Sequence, residues 1–152
     1  MRVASSNIQI DIRLQPGQLL VIYDGNCGLC NRSVRWLLRR DRKDHLRFAP
    51  SSDPAVADLL ASHGISVIPD TILVIRNVNT AIEELLVGSN AILACLRVLP
   101  QPWPMLAAIA RLMPRPLREA GYRLVARYRY KIWGRYESCP IPTPEDRSHF
   151  LS

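Results

Sequence analysis

The chain has 152 residues, of which 48% are hydrophobic and 22% are charged, so it carries enough apolar material for one globular domain with a buried core. This composition excludes a chain that is disordered throughout. Twenty Lys and Arg against thirteen Asp and Glu give a formal net charge of +7, which makes anionic partners worth considering. No segment has the roughly 18 consecutive apolar residues of a membrane span, and the first residues lack the apolar core of a secretory signal. We therefore expect a cytoplasmic protein.

The first predicted elements are a buried strand and an amphipathic helix. The apolar run within Gln18 to Tyr23 is typical of a strand inside a sheet, and Asp24-Gly25-Asn26 ends it with turn residues. Helical spacing follows at once. Its apolar face comprises Cys30, Val34, Leu37 and Leu38, and its other faces carry Arg32, Arg35, Arg39 and Arg40.

The middle of the chain alternates strands and helices. His45 to Ala49 is a second predicted strand, and Asp53 with Pro54 begins a helix that Gly64 ends. Ile72 to Ile75 and Ile82 to Val87 predict a hairpin, after which Ser89 is expected to cap a further helix. The pattern predicts an α/β fold, with a central mixed sheet flanked by helices.

Two more helices and a tail complete the chain. Prolines around positions 100–104 precede predicted helices over Met105 to Met113 and Leu117 to Trp133, and the tail after them is rich in proline. We divide the chain into an N-terminal extension (1–17), a core (18–100) and a C-terminal helical extension with its tail (101–152). We expect the last part to pack on the core as one domain overall.

Cys27 and Cys30 are the residues that most directly indicate a chemistry. Two thiols separated by two residues at a helix start can close a disulfide, and the unsatisfied N–H groups there favour a thiolate. We therefore predict that Cys27 is a nucleophile and that Cys30, expected to be less exposed, is the resolving thiol. Gly28 would let a partner backbone approach and Leu29 would tune the exchange. Arg32 and Arg35 lie close to the pair in sequence and are expected to add to the stabilisation of the thiolate.

A zinc site is the main alternative for the cysteine pair. Such a site needs about four ligands, but the chain has no second close pair of cysteines. The remaining candidates are scattered: Cys95, Cys139, His45, His63 and His149. A redox pair after a strand fits the spacing better, so we expect no metal and no cofactor.

The segment Asp24-Gly25-Asn26-Cys27-Gly28-Leu29-Cys30 after an apolar strand resembles the DCC family of thiol-disulfide oxidoreductases, named for its Asp-Cys-Cys signature. The resemblance extends from about Leu19 to the end of the chain. It includes the Arg-rich helix and the segments Pro69-Asp70-Thr71-Ile72-Leu73-Val74 and Cys139-Pro140-Ile141-Pro142.

The resemblance implies a thioredoxin-like fold in which a cis-proline faces the active cysteines. Pro69 is the matching position, and a cis bond there would leave the backbone of Ile68 available to a bound peptide; a trans proline at the start of a strand is the alternative. Asp24 matches the first signature residue. It could accept a proton from Cys30 or hold the turn that presents Cys27. The implied partners are a protein or small-molecule disulfide and an electron-donating thiol system.

The basic helix, residues 115–136, has two interpretations. In the first, its apolar face packs on the core and its basic faces are solvated; Leu117, Leu124 and Ile132 lie on the apolar face, and Arg118, Arg123, Arg127 and Arg129 on the others. In the second, this helix makes weak contact with an anionic surface through its cations and the aromatic side chains Tyr122, Tyr130 and Trp133. No base-reading motif is present, so we expect no specific nucleic-acid recognition.

The two remaining cysteines are expected to differ. Cys95 lies on an apolar helix face and is predicted to be a core residue. Cys139 lies among prolines and is either a buried thiol or a third redox thiol. For the whole chain, the alternative to an oxidoreductase is a redox-sensing or partner-binding module that uses the same scaffold without efficient turnover.

Overall fold

The computed structural model describes residues 14–15, 17–66, 72–78, 80–134 and 149–150. Ile68, Pro69 and Cys139 lie outside these residues, and so do the side chains of Tyr130 and Trp133. The predictions made for them, including the isomer of Pro69, stay predictions, and so do the boundaries drawn at residues 17/18 and 100/101.

Strands and helices follow one another in the predicted order. The strands are β1 (Leu19–Tyr23), β2 (Leu46–Pro50), β3 (Leu73–Arg76) and β4 (Glu84–Val87). The helices are α1 (Gly28–Arg40), α2 (Pro54–Ser62), α3 (Ser89–Arg97), α4 (Trp103–Arg111) and α5 (Arg115–Trp133). None of these helices is long and apolar enough to cross a bilayer.

The strands form a mixed sheet in the order β2-β1-β3-β4. β1 pairs in parallel with β2 and antiparallel with β3, and β3 and β4 pair antiparallel as the predicted hairpin. Successive side chains of β1 point to opposite faces of the sheet. Leu19, Val21 and Tyr23 pack in the core shared with α1 and α3, whereas Leu20 and Ile22 pack in the core shared with α2. This arrangement confirms the predicted α/β, thioredoxin-like fold.

Short polar contacts fix where several elements begin. The buried Asp41 carboxylate accepts the backbone N–H groups of His45 at 2.9 Å and Leu46 at 2.8 Å, so it sets the start of β2. Asp53 caps α2 as predicted, by accepting the N–H of Ala55 at 2.9 Å.

The prediction that Ser89 caps α3 is wrong. The cap is Gly88, whose φ of 64° lies in the region that favours glycine. Ser89 is the first helical residue, and its hydroxyl donates to Glu119 of α5 instead. A Cβ at position 88 would lie 3.1 Å from the Glu119 carboxylate, so the glycine also makes room for α5.

Helix α5 docks through polar groups rather than through its apolar face. Arg118 donates to Ser89 Oγ at 3.0 Å and to Asn90 Oδ1 at 2.8 Å. The Tyr122 hydroxyl accepts the N–H of Ile72 at 3.1 Å, so Tyr122 is not one of the interfacial aromatic residues expected above. The predicted packing of the apolar face on the core is wrong. Its residues are exposed instead: Leu117 by 60%, Leu124 by 59% and Ile132 by 66%.

Truncation of the core should separate buried from exposed apolar positions. Phe48 is fully buried in β2 and its ring lies 5.8 Å from that of Phe150. Phe48→Ala should lower the free energy of unfolding by about 3–5 kcal/mol, because it removes buried contacts and leaves a cavity. Ile82→Ala is the control, since Ile82 is 72% exposed and its loss should change stability by less than about 0.5 kcal/mol. Urea denaturation measures both, and equal losses would contradict the assigned core.

Candidate redox site

The turn between β1 and α1 is held by Asp24. Its Oδ1 accepts the N–H of Asn26 at 2.9 Å, and its backbone carbonyl accepts the N–H of Cys27 at 3.2 Å. Of the two roles considered for this carboxylate, the turn-forming one is visible in the geometry. The proton-acceptor role stays a prediction.

Cys27 is the N-cap residue of α1. Its backbone is extended, with φ −87° and ψ 124°, and its Sγ accepts the N–H of Cys30 at 3.4 Å. The first N–H groups of a helix have no intrahelical acceptor, and the dipole favours negative charge there. The Cys27 sulfur therefore lies at the positive end of the α1 dipole.

Asn31 clamps the turn from inside α1. Its buried side chain donates through Nδ2 to the carbonyl of Gly25 at 2.7 Å and to the carbonyl of Cys27 at 2.9 Å. Asn31 was not among the residues predicted for the site. Its signal was a single amide four positions after Cys27, in a helix whose other polar residues are mostly arginines.

The cation at the pair comes from α5. Arg129 is only 3% exposed, with Nη1 3.5 Å from Cys30 Sγ and Nη2 3.6 Å from Asp24 Oδ2. Its placement on a solvated face of the helix is therefore wrong. Arg32 and Arg35, which were expected to assist the thiols, are exposed. Proximity in sequence pointed to the wrong cations because a helix about 100 positions later reaches the site.

The two thiols have different surroundings. Burial, together with the hydrogen bond to Cys27 and repulsion from it, raises the pKa of the Cys30 thiol from 9.0 to about 12. Arg129 and a backbone hydrogen bond from Asp24 lower the pKa and only partly oppose this rise. The Cys30 thiol therefore keeps its proton at neutral pH. Its exposure was predicted wrongly, because Cys27 is fully buried whereas Cys30 is half-buried.

The chain itself occupies one side of the pair. The N–H of Gly28, which was expected to meet a partner backbone, donates to the carbonyl of Gly134 at 3.3 Å, and Gly28 is buried. On the other side, Leu29 and Cys30 line a mostly apolar cleft of about 670 Å³ between α1, α3 and α5. Access from solvent is therefore better developed at Cys30 than at Cys27.

The histidines considered as zinc ligands have other neighbours. His63 pairs with Glu83, and His149 lies 3.1 Å from Asp44. In the described part of the chain, three potential metal ligands come together at Asp41, Asp44 and His149, and the cysteines are not among them. Asp41 already accepts two backbone N–H groups. Cys95 is a buried thiol in the core, as predicted.

Loss of the buried guanidinium should make the cysteine pair more reducing. Arg129→Gln removes a cation that stabilises negative charge on the reduced pair, and destabilising the reduced state lowers the reduction potential. We expect a decrease on the order of 30 mV, equivalent to about 1.4 kcal/mol. Equilibration in glutathione mixtures with thiol trapping measures it. Arg127→Gln is the matched control, since Arg127 is exposed on the same helix; the same potential in both variants would contradict a role for Arg129.

Loss of the amide clamp should loosen the turn. Leucine is close to asparagine in size but has no side-chain N–H. In Asn31→Leu the carbonyls of Gly25 and Cys27 therefore lose the hydrogen bonds from the Asn31 amide. We expect a loss of about 1–3 kcal/mol in the free energy of unfolding. Faster hydrogen exchange at residues 25–28 should accompany it. Unchanged exchange at these residues would show that Asn31 does not hold the turn.

The stability of the reduced protein should fall at alkaline pH. The pKa values of Cys30 and Cys95 are raised from 9.0 to about 12, for Cys95 chiefly by burial. The unfolded thiols then ionise from about pH 9, while the folded thiols stay protonated, so each increase in pH favours unfolding until about pH 12. Urea midpoints at pH 8, 9 and 10 under reductant measure this. In Cys95→Ala the urea midpoint should fall less steeply with pH than in the parent protein. An identical slope in the two proteins would refute the effect.

Comparisons with known proteins identify a family for the chain. The family model of the DCC1-like thiol-disulfide oxidoreductases matches residues 21–135. The uncharacterized protein YuxK of Bacillus subtilis is 27% identical over 133 residues, covering 87% of this chain and 93% of the relative. The Arabidopsis thaliana protein named DCC family protein At1g52590, chloroplastic, is 30% identical over 122 residues. The match covers 80% of this chain and 69% of the relative. No solved structure matches significantly. The chain belongs to the DCC1-like thiol-disulfide oxidoreductase family.

Proposed function

We propose that the protein is a thiol-disulfide oxidoreductase in which Cys27 is the nucleophile and Cys30 the resolving thiol. The observation that carries the proposal is the Cys27 sulfur at the N-cap of α1, where it accepts the N–H of Cys30 at 3.4 Å. The pKa of the neighbouring Cys30 thiol is raised to about 12, which supports its role as the resolving thiol rather than the nucleophile. Cys30 keeps its proton while Cys27 attacks.

The proposed cycle consists of two exchanges. The Cys27 thiolate attacks one sulfur of a substrate disulfide, so a Cys27–substrate bond forms and the other substrate sulfur leaves as a thiolate. Cys30 then loses its proton and attacks Cys27, which releases the second substrate thiolate. The substrate is thereby reduced by two electrons and the pair is oxidised to a disulfide. An external thiol system then returns two electrons and one proton to the pair, which restores the Cys27 thiolate and the Cys30 thiol.

Arg129 and Asp24 act in the second exchange in this proposal. The negative charge that develops on Cys30 forms 3.5 Å from Nη1 of Arg129, which can stabilise it. Asp24 lies 3.6 Å from the same guanidinium and is the candidate acceptor for the Cys30 proton. Leu29, on the wall of the cleft, contacts the substrate in this proposal, and Ile68 and Pro69 are proposed to bind its backbone. We assign the reaction to a thiol-reducing compartment, the cytoplasm.

A redox-sensing module is the second candidate function. The observation in its favour is that Cys27 is fully buried and that the N–H next to it is already bonded to Gly134. A pair covered in this way could change its partner affinity on oxidation without rapid turnover. Repeated reduction of a model disulfide such as insulin distinguishes the two, because a sensor completes few cycles.

Trapping of the mixed disulfide tests the division of roles. Cys30→Ser should accumulate a disulfide between Cys27 and a small substrate such as oxidised glutathione, because the resolving thiol is absent. Cys27→Ser should give less than about a tenth of that adduct, since burial, the largest cause of the raised pKa of Cys30, persists in this variant. Mass spectrometry after acid quenching measures both. An adduct that forms mainly on Cys30 in the Cys27→Ser variant would reverse the assignment.

A further inference from the structure

Large exposed apolar side chains are concentrated on α4, α5 and the turn between them. They include Met105, Ile109, Leu112, Leu117, Leu124 and Ile132, with exposures from 54% to 85%. Scattered exposed apolar residues need no explanation, but a cluster on two consecutive helices indicates an interaction site. We name these six residues, together with Arg123, Arg127 and Lys131, the α4–α5 surface.

The basic members of this surface flank its apolar stripe. Leu117, Leu124 and Ile132 recur at helical intervals along one face of α5, and Arg123, Arg127 and Lys131 follow four residues apart along the neighbouring face. All three cations are exposed. The single acidic residue of α4 and α5 is Glu119, which accepts a hydrogen bond from Ser89 on the docked side. The exposed side of α5 is therefore apolar and positively charged.

The docked side of α5 is already occupied by other contacts. Arg118, Tyr122 and Arg129 bind α3, the start of β3 and the cysteine pair, respectively. These residues recur at intervals of four and seven and lie on a face distinct from the apolar stripe. A partner could therefore contact the α4–α5 surface without displacing α5 from the redox site.

We propose that the α4–α5 surface binds the surface of an anionic lipid bilayer. An apolar stripe edged by cations fits the boundary between acyl chains and acidic headgroups, where the apolar side chains insert and the long basic side chains reach the headgroups. Nucleic acid would use the cations but would leave the apolar residues in water. The combination of both residue classes on one face therefore selects lipid over a polyanion. In this proposal the α4–α5 surface lies on the membrane, and none of the described helices spans it.

Vesicle sedimentation with the full-length protein tests the proposal. The probes are vesicles of pure phosphatidylcholine and vesicles that contain half phosphatidylglycerol, at 20 and 500 mM NaCl. We expect binding to the anionic vesicles at low salt and at least a tenfold weaker apparent affinity at high salt, because screening removes the charge attraction. No sedimentation with anionic vesicles at low salt would overturn the proposal, and so would equal binding to both vesicle types.

Two triple variants separate the two components of the surface. Arg123→Gln, Arg127→Gln and Lys131→Gln together should weaken binding roughly a hundredfold, since each basic residue at an anionic surface contributes about a factor of five. Leu117→Gln, Leu124→Gln and Ile132→Gln together should also abolish sedimentation while leaving the net charge unchanged. The charge-matched control replaces Arg39, Arg42 and Lys43, which are exposed at the end of α1 and just after it, and it should bind within about threefold of the parent.

The remaining outcomes point to other partners. Loss of binding in the control variant to the same extent as in the basic variant would show a net-charge effect and overturn the assignment to this surface. Retained binding in the apolar variant, together with a salt-sensitive shift of duplex DNA that the apolar changes leave intact, would indicate a polyanion site instead. Circular dichroism of each variant confirms that the loss is not one of folding. The redox potential of the pair should be unchanged in the apolar variant, since those side chains do not touch it.

Discussion

The candidate redox site is arranged around one sulfur at the N-terminal end of α1. β1 runs through the centre of the sheet and stops at Asp24, and the turn that follows leaves Cys27 as the N-cap of α1. A serine or aspartate at such a position would serve only to satisfy backbone N–H groups. Cys27 satisfies one as well, and in the mechanism we propose the same sulfur is also the nucleophile.

The buried Arg129 explains why a helix outside the central sheet belongs to the redox site. Removing a guanidinium from water is costly unless it is paired and hydrogen-bonded. Here the neighbouring groups are the Asp24 carboxylate at 3.6 Å and the Cys30 sulfur at 3.5 Å. The turn and α5 therefore depend on each other: the carboxylate compensates the buried cation, and the cation compensates charge at the turn. Breaking a buried pair of this kind typically costs about 3–5 kcal/mol, which ties α5 to the cysteine pair.

The elements that local sequence rules specify were predicted correctly. The apolar run of β1, the turn residues after it and the proline after Asp53 each specify an element without help from distant residues. Contacts that depend on a distant segment of the chain were not predicted. Nothing near Arg129 in sequence indicates that Cys30 and Asp24 will lie beside it, and the hydrogen bond that occupies the N–H of Gly28 requires a fold that brings Gly134 to α1. Ser89 was misassigned for the same reason, because its hydroxyl is engaged by Glu119.

The behaviour of α5 follows from competition between its two faces. Hydrophobicity alone would bury Leu117, Leu124 and Ile132 against the core, yet the face that docks carries Arg118, Tyr122 and Arg129. These polar side chains form hydrogen bonds or close polar contacts on the docked face, and leaving a buried polar group without a partner costs about 1–3 kcal/mol. The polar face therefore sets the orientation of the helix. Because the same rotation fixes Arg129 at the cysteines and turns the apolar stripe outward, the redox site and the α4–α5 surface are consequences of one docking geometry.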